Sequence, residues 1–286
     1  MTRICYDEVG CDLYVDSECV NLDMISLARR SYGESYKMRV ISEIPLGAGA
    51  GVSANIAIGL GFRIASKILG GENIRRILVS AGLIAHELEV RSMTGLGDVI
   101  SELLGYGIEV RKIPGAPCYG SLESSSLKNF SVVVGILPRG IFTPEMLRRL
   151  TPEIIARARE LIGRYEKNPE PEVFVEISHS FSKEIGFLSN EIDMLVKNSL
   201  KDRMSRGEIL GYFIKKSLLV ILAERDIELN PEDLKDLKIS KIVYLKPLNK
   251  DESIIRERDL DLWCSDSIEI YRKLTSRDLT SRRIIL

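Results

Sequence analysis

The sequence predicts a chain of two domains, a half that mixes strands with helices and then a half rich in helices. Three observations predict it. The length of 286 residues suits one to two domains of the usual ~100–200 residues. The composition, 45% hydrophobic and 28% charged, is that of an ordinary globular chain able to bury a core. The pattern changes along the chain, with strand-like runs interleaved with helices before about residue 136 and amphipathic helical periods dominating from about residue 143. The division is placed between residues 1–128 and 129–286.

Each element has its own signal. "ICYDEVGCDLYVDSECVNL" holds two short β-rich runs around Gly10 and reads as a hairpin. "DMISLARRSYG" is a short helix ending near Gly33, and "YKMRVISEI" is a strand that stops at Pro45. Residues 52–69 are apolar on nearly every face, the mark of a central, buried helix. "GGENIRRILVSAGLIAHELEVRSM" is a second helix after a Gly70-Gly71 break, and "VISELLG" a third, shorter one. "IEVRKI" alternates as a strand does, "PGAPCYG" is a turn-rich loop, and "FSVVVGIL" is a buried strand. Beyond it, "TPEMLRRL", "PEIIARARELIGRYEK", "PEVFVEISHSFSKEI", "NEIDMLVKNSLKDRM" and "EILGYFIKKSLLVILAE" read as amphipathic helices. "ISKIVYLKPL" is a late strand, and the charged tail 250–286 is expected to pack poorly.

Bulk charge excludes several functions. A net charge of −1 and a pI near 6.3 offer no basic surface for nucleic acid or membrane. Five cysteines without a CxxC argue against both a disulfide framework and a zinc site, so reduced thiols in a cytoplasmic protein are expected. Two histidines exclude a His-rich metal centre. The start "MTRICYDEVGCDLYVD" has acids where a signal peptide is apolar, and no apolar run approaches the ~20 residues of a membrane helix.

The stretch "RVISEIPLGAGAGVSANIAIGLGF" carries the chemistry. A strand runs into Gly47, Gly49 and Gly51, and a helix follows. Glycines permit positive φ and close backbone approach, while a helix start presents unpaired N–H groups and the positive end of a dipole. Together they suit a phosphate. A tight structural turn explains a lone glycine-rich loop about equally well. There is no Gly-Lys-Ser/Thr triplet for a Walker A loop, and the G-x-G-x-G spacing differs from the G-x-G-x-x-G of a dinucleotide fold. Ser53 is placed to cap the helix or to bind a metal or phosphate oxygen. Asp98, in "TGLGDV", is either the cap of the following helix or a base for a hydroxyl. Glu87 and Glu89 lie two apart on one helix and face different ways, so only one can meet the loop. Arg111 is either a solvated strand arginine or a clamp for a carboxylate.

The pattern Pro45-x-Gly47-x-Gly49-x-Gly51-Val52-Ser53-Ala54 resembles the phosphate loop of the GHMP kinases. "AHELEV", "TGLGDV", "RKIPGAP" and "PEPEVFVEISHSFSKEIG" follow in the order and spacing of that superfamily's archaeal pantoate kinase branch, a likeness covering roughly residues 39–190. The resemblance implies a two-domain α+β fold, an N-terminal ATP-binding domain like domain 2 of ribosomal protein S5 and a ferredoxin-like C-terminal domain. It implies ATP as phosphoryl donor, magnesium, and a small-molecule substrate, pantoate, phosphorylated to 4-phosphopantoate in coenzyme A synthesis. ATP would lie along Pro45, Gly47, Gly49, Gly51, Val52, Ser53 and Ala54. Ser53 with Glu89, or with Glu87 instead, would see the metal. Asp98 would be catalytic, and Arg111 with Gly97 would meet the substrate. His86 reads as packed or hydrogen-bonded. No nucleic-acid or membrane partner follows from the resemblance, and a homodimer stays open.

The chain departs from the family in two places. The loop starts 44 residues in, so the N-terminal family motif is expected to be either cut off or lost. The third, glycine-rich motif is thin, keeping Gly207 and Gly211. A kinase for another small alcohol, or a catalytically silent nucleotide-binding homologue, are the alternative readings.

Overall fold

The computed structural model describes residues 2–6, 10–33, 37–71, 73–95, 97–138, 143–225, 227–229 and 231–275. The first half opens with strands β1 (Thr2–Tyr6), β2 (Leu13–Val15) and β3 (Glu18–Cys19), then helix α1 (Asp23–Tyr32) and strand β4 (Met38–Ser42). The expected hairpin around Gly10 does not form. β4 inserts between β1 and β2, antiparallel to the first and parallel to the second, giving the order β1-β4-β2-β3. β4 can do this because Met38 and Val40 are fully buried on one face while Arg39 and Ile41 face outward.

Helices α2 (Val52–Leu69) and α3 (Ile74–Ser92) cover this sheet, followed by α4 (Asp98–Leu104) and the strand pair β5 (Ile108–Ile113) and β6 (Ser121–Ser125). α2 is long and apolar enough by composition to cross a membrane, against the expectation above. Here it is a core helix, with Ala54, Ile56, Ala57, Leu60 and Ala65 fully buried. Two helical glycines set its depth. A side chain at Gly59 would strike Ile4 and Met38 of the sheet, and one at Gly61 would strike the backbone of Ala81 on α3. α3 starts where the Asn73 side chain accepts from the N–H groups of Arg75 and Arg76, a regular N-cap.

The second half holds β7 (Phe130–Ile136), helices α5 (Thr143–Arg148), α6 (Pro152–Lys167), α7 (Pro171–Glu184) and α8 (Asn190–Ser205), the hairpin β8 (Ile209–Lys215) and β9 (Leu218–Glu224), a 3₁₀ segment Pro231–Leu237, and β10 (Lys241–Leu245). Proline at the first helical position starts α6 and α7, and Thr151 and Ser189 cap α6 and α8. "EILGYFIKKSLLVILAE" is therefore a hairpin, not a helix. Two apolar seven-residue runs flank a polar break, and buried strands show no alternation to distinguish them from a buried helix. The four strands order as β10-β7-β9-β8, all antiparallel, which numbered within this half is 4-1-3-2. That is the split β-α-β arrangement of ferredoxin-like domains. Asp193 pins the helices to this sheet, buried and bonded to Lys183 (2.8 Å), Lys197 (2.9 Å) and the Tyr212 hydroxyl (2.6 Å).

The charged tail packs well. Helix α9 (Glu257–Thr275) lies along α3 and brings Trp263, Ile268, Tyr271 and Leu274 into the first core, with Ile255 just before it. A cut at 128/129 therefore separates α9 from the core it completes. The expectation of reduced thiols is also overturned, because Cys11 is bonded to Cys19 and Cys118 to Cys264, with Cys5 free and exposed. These pairings are set by topology, which a count of cysteines does not carry.

Candidate active site

The glycine loop leaves β4 through Pro45, whose carbonyl accepts the Ala48 N–H at 3.2 Å. Gly47, Gly49 and Gly51 all have positive φ (83°, 117° and 71°), so the alternate glycines answer a backbone need. Gly49 also lies against the second half, where a Cβ would come within 2.9 Å of the Lys215 carbonyl oxygen. The Ser217 N–H and its hydroxyl both donate to the Ala48 carbonyl at 3.2 Å. Loop and hairpin turn are thus bolted together across the two halves, above a small apolar cluster of Ile44, Ala48, Val134, Ile136, Leu218 and Val243.

Gly51 is the N-cap of α2 and supplies no side chain, so Ser53 is not a cap and stands in the first turn. Ser53 lines a cleft of about 440 Å³ with Gly47, Gly49, Gly51 and Val52 of the loop. Thr94, Gly95, Gly97 and Asp98 line it from the α3–α4 turn, Arg111 from β5, Met146, Leu147 and Leu150 from α5 and beyond, and Lys215 and Lys216 from the hairpin. Pro45 and Ala54 lie outside this lining; Ala54 is fully buried in the core. A larger depression of about 580 Å³ between β6 and residues 250–260 shares none of these groups.

The "TGLGD" turn is built by its neighbours. α3 ends at Met93, in left-handed conformation, and the Thr94 N–H returns to the Glu89 carbonyl at 3.1 Å. A Cβ on Gly95 would lie 2.6 Å from the Glu89 carboxylate, and one on Gly97 would overlap the Arg111 guanidinium. The two glycines make room for one anion and one cation. Asp98 is the first residue of α4 and the cap position, Gly97, makes no side-chain bond, so Asp98 does not act as the cap.

Glu89 and Glu87 are both buried and point apart, about 200° around the helix. Glu89 faces the loop. Burial pushes its carboxyl up, the Ser53 and Thr94 hydroxyls draw it back, and neither oxygen reaches a partner at full hydrogen-bond geometry. Glu87 instead accepts from Tyr32 (2.8 Å) and Arg91 (3.0 Å). It lines a separate cavity of about 300 Å³ with His86, Arg91, Tyr119 and Tyr271, away from the glycine loop. Burial, and then the charge of Arg111, push His86 below its ordinary range.

Sequence reasoning missed three groups. Glu102 of α4 lies against Gly51, where a Cβ would meet its carboxylate, and bonds the Asn55 side chain under the loop. Burial, aided by the charge of Asp98, pushes it up to about 7. Lys215 and Lys216 both line the cleft, the charge of Lys215 bearing on Glu102 and Glu109 and the charges of Asp98 and Glu89 bearing on Lys216. The polar dipeptide between two apolar runs was the available signal for both lysines.

No family model matches the chain. It is 29% identical over 198 residues to a pantoate kinase of Thermococcus kodakarensis, covering 69% of this chain and 63% of that one. It is also 29% identical over 166 residues to a pantoate kinase of Methanocaldococcus jannaschii, covering 56% and 57%. The chain thus spans less than two thirds of the length of these relatives. Among solved structures, a phosphotransferase related to the coenzyme A biosynthesis pathway matches with a TM-score of 0.61 and 20% identity, over 86% of this chain and 84% of that one. A homoserine kinase from Cytophaga hutchinsonii matches with a TM-score of 0.52 and 12% identity, over 86% and 85%. The chain has the GHMP kinase fold. Here the glycine loop opens the first long helix, and the hairpin turn of the second half is hydrogen-bonded to it. The sequence relation to the pantoate kinases is the narrower likeness within it.

Proposed function

We propose that the chain transfers the terminal phosphoryl group of ATP to the primary hydroxyl of pantoate, giving 4-phosphopantoate for coenzyme A synthesis. The observation that carries the reading is one cleft that gathers the three positive-φ glycines, Ser53, Asp98 and Arg111, with the Glu89 carboxylate buried beside it. The likeness to two pantoate kinases supports the substrate.

Each residue has a role in this reading. The loop N–H groups and the start of α2 hold the nucleotide phosphates. The buried, unpartnered carboxylate of Glu89 fits a cation, and with Ser53 it would hold magnesium, which offsets phosphate charge when bound. Glu89 is preferred to Glu87 in this reading, since Glu87 accepts from Tyr32 and Arg91 away from the loop. Arg111 pairs with the substrate carboxylate. Asp98 takes the proton as the hydroxyl oxygen bonds to phosphorus and the bond to the ADP oxygen breaks. Positioning and charge neutralisation supply most of the acceleration in such transfers. The protein works in the cytoplasm in this reading, and its two disulfides then call for a disulfide-tolerant interior such as that of hyperthermophiles.

ADP release is the test, with pantoate, mevalonate, homoserine, shikimate and galactose offered side by side at saturating ATP and magnesium. Pantoate is expected to be turned over in preference to the rest, the preference that the likeness to two pantoate kinases supports. Preference for mevalonate or homoserine would leave the fold and remove the substrate. ATP binding without turnover of any alcohol would establish a silent nucleotide-binding homologue.

A further inference from the structure

We propose that Lys216, on the turn of the β8–β9 hairpin, is a phosphate-binding residue that contacts the transferred phosphoryl group. This rests on the nucleotide reading above and adds to it a cation from the opposite half of the molecule.

Position is the first argument. Lys215 and Lys216 both line the cleft, but they serve different neighbours. Lys215 acts on Glu102 and Glu109, behind the loop. Lys216 lines the cleft together with the three loop glycines, Ser53 and Asp98, and the charges of Asp98 and Glu89, the groups assigned to the hydroxyl and the metal, act on it. Rigidity is the second argument. The turn cannot drift from the glycine loop, because Ser217 donates twice to Ala48 and the Lys215 carbonyl abuts Gly49. The backbone that carries this cation is therefore held beside the glycine loop, which favours electrostatic preorganisation.

Conformation is the third argument. Lys216 has φ 57°, a left-handed backbone that glycine adopts far more readily. Glycine at this turn would fold more easily and bring no charge to the cleft.

The test compares ATP and ADP affinity in the parent, Lys216→Gly, Lys216→Gln and Lys216→Arg, with Tm and turnover measured alongside. Both uncharged variants should keep the parent Tm, with Lys216→Gly no lower. Each should lose about tenfold or more in ATP affinity, the scale of a charge-assisted bond, with ADP affinity within about twofold. Lys216→Arg should retain most of the ATP affinity. Equal losses for ATP and ADP, or none for either, would overturn the proposal while leaving the nucleotide reading intact. Loss in Lys216→Gly but not in Lys216→Gln would assign the effect to the backbone and also overturn it. A parent that binds neither nucleotide would remove the nucleotide reading itself, and the lysine's role with it.

Discussion

Gly95 and Gly97 are chosen by what stands beside them, the Glu89 carboxylate and the Arg111 guanidinium. Their φ need not be special: Gly97 has φ −157°, open to any residue. This differs from the loop glycines, where the backbone itself demands glycine. The loop was legible in the sequence because three alternate glycines before a helix have a general physical meaning. The "TGLGD" glycines were legible only as a likeness, since their purpose depends on side chains 6 and 14 positions away in "AHELEV" and "IEVRKI". A Gly97→Ala variant separates the roles. Its methyl group must displace the guanidinium, the far end of a flexible side chain, so the fold should tolerate it. The KM for pantoate should rise about tenfold or more, as expected for a disturbed Arg–carboxylate pair, with ATP affinity within about twofold. An unchanged KM would show that Arg111 does not hold the substrate.

At the scale of elements, α4 supports the loop from below. It presents Glu102 to Gly51 and Asn55, with Asp98 on its own first turn, Glu109 on β5 and Lys215 on the hairpin around it. Glu102 rises from 4.5 to about 7. An acid raised in the native state holds its proton more tightly folded than unfolded, so it lowers stability as pH climbs from about 4.5 through about 7. Glu102→Gln keeps the shape and removes this slope. The variant should match the parent near pH 4 and exceed it by roughly 1–3 kcal/mol at pH 8, read from urea unfolding at both values. Parallel pH curves for the two proteins would mean that Glu102 titrates normally. α4, α6, α7 and α8 were readable as helices, as was β7 from its β-branched run. The β8–β9 hairpin was not, because a strand buried on both faces loses the alternation that betrays it. Only the Lys215-Lys216 break marked the turn.

For the whole molecule, the decisive contact is one that no local pattern announces. α9 crosses back from the second half to lie on α3, and the Cys118–Cys264 bond ties it to the 114–120 loop. Read alone, residues 250–286 are too charged to suggest a packed helix, yet Trp263, Ile268, Tyr271 and Leu274 recur on one face. Tyr271 also walls the cavity beside Glu87, so the tether bears on the surroundings of α3 as well as on stability. The bond spans a sequence separation of 146, against 8 for Cys11–Cys19. In the chain-entropy view the longer loop contributes about 5 kcal/mol at most and the shorter about half of that, with typical measured values of 2–4 kcal/mol. The double variant Cys118→Ser with Cys264→Ser should therefore lose about 2–4 kcal/mol without reductant, and less than about 1 kcal/mol against a parent kept fully reduced. Thiol titration supplies the matching count. The native protein should show the single free thiol of Cys5, and the reduced, denatured protein all five. If all five thiols react in the native protein, the bonds are absent and the two stabilities must coincide. If one thiol reacts and the stabilities still coincide, α9 is held by its apolar face alone.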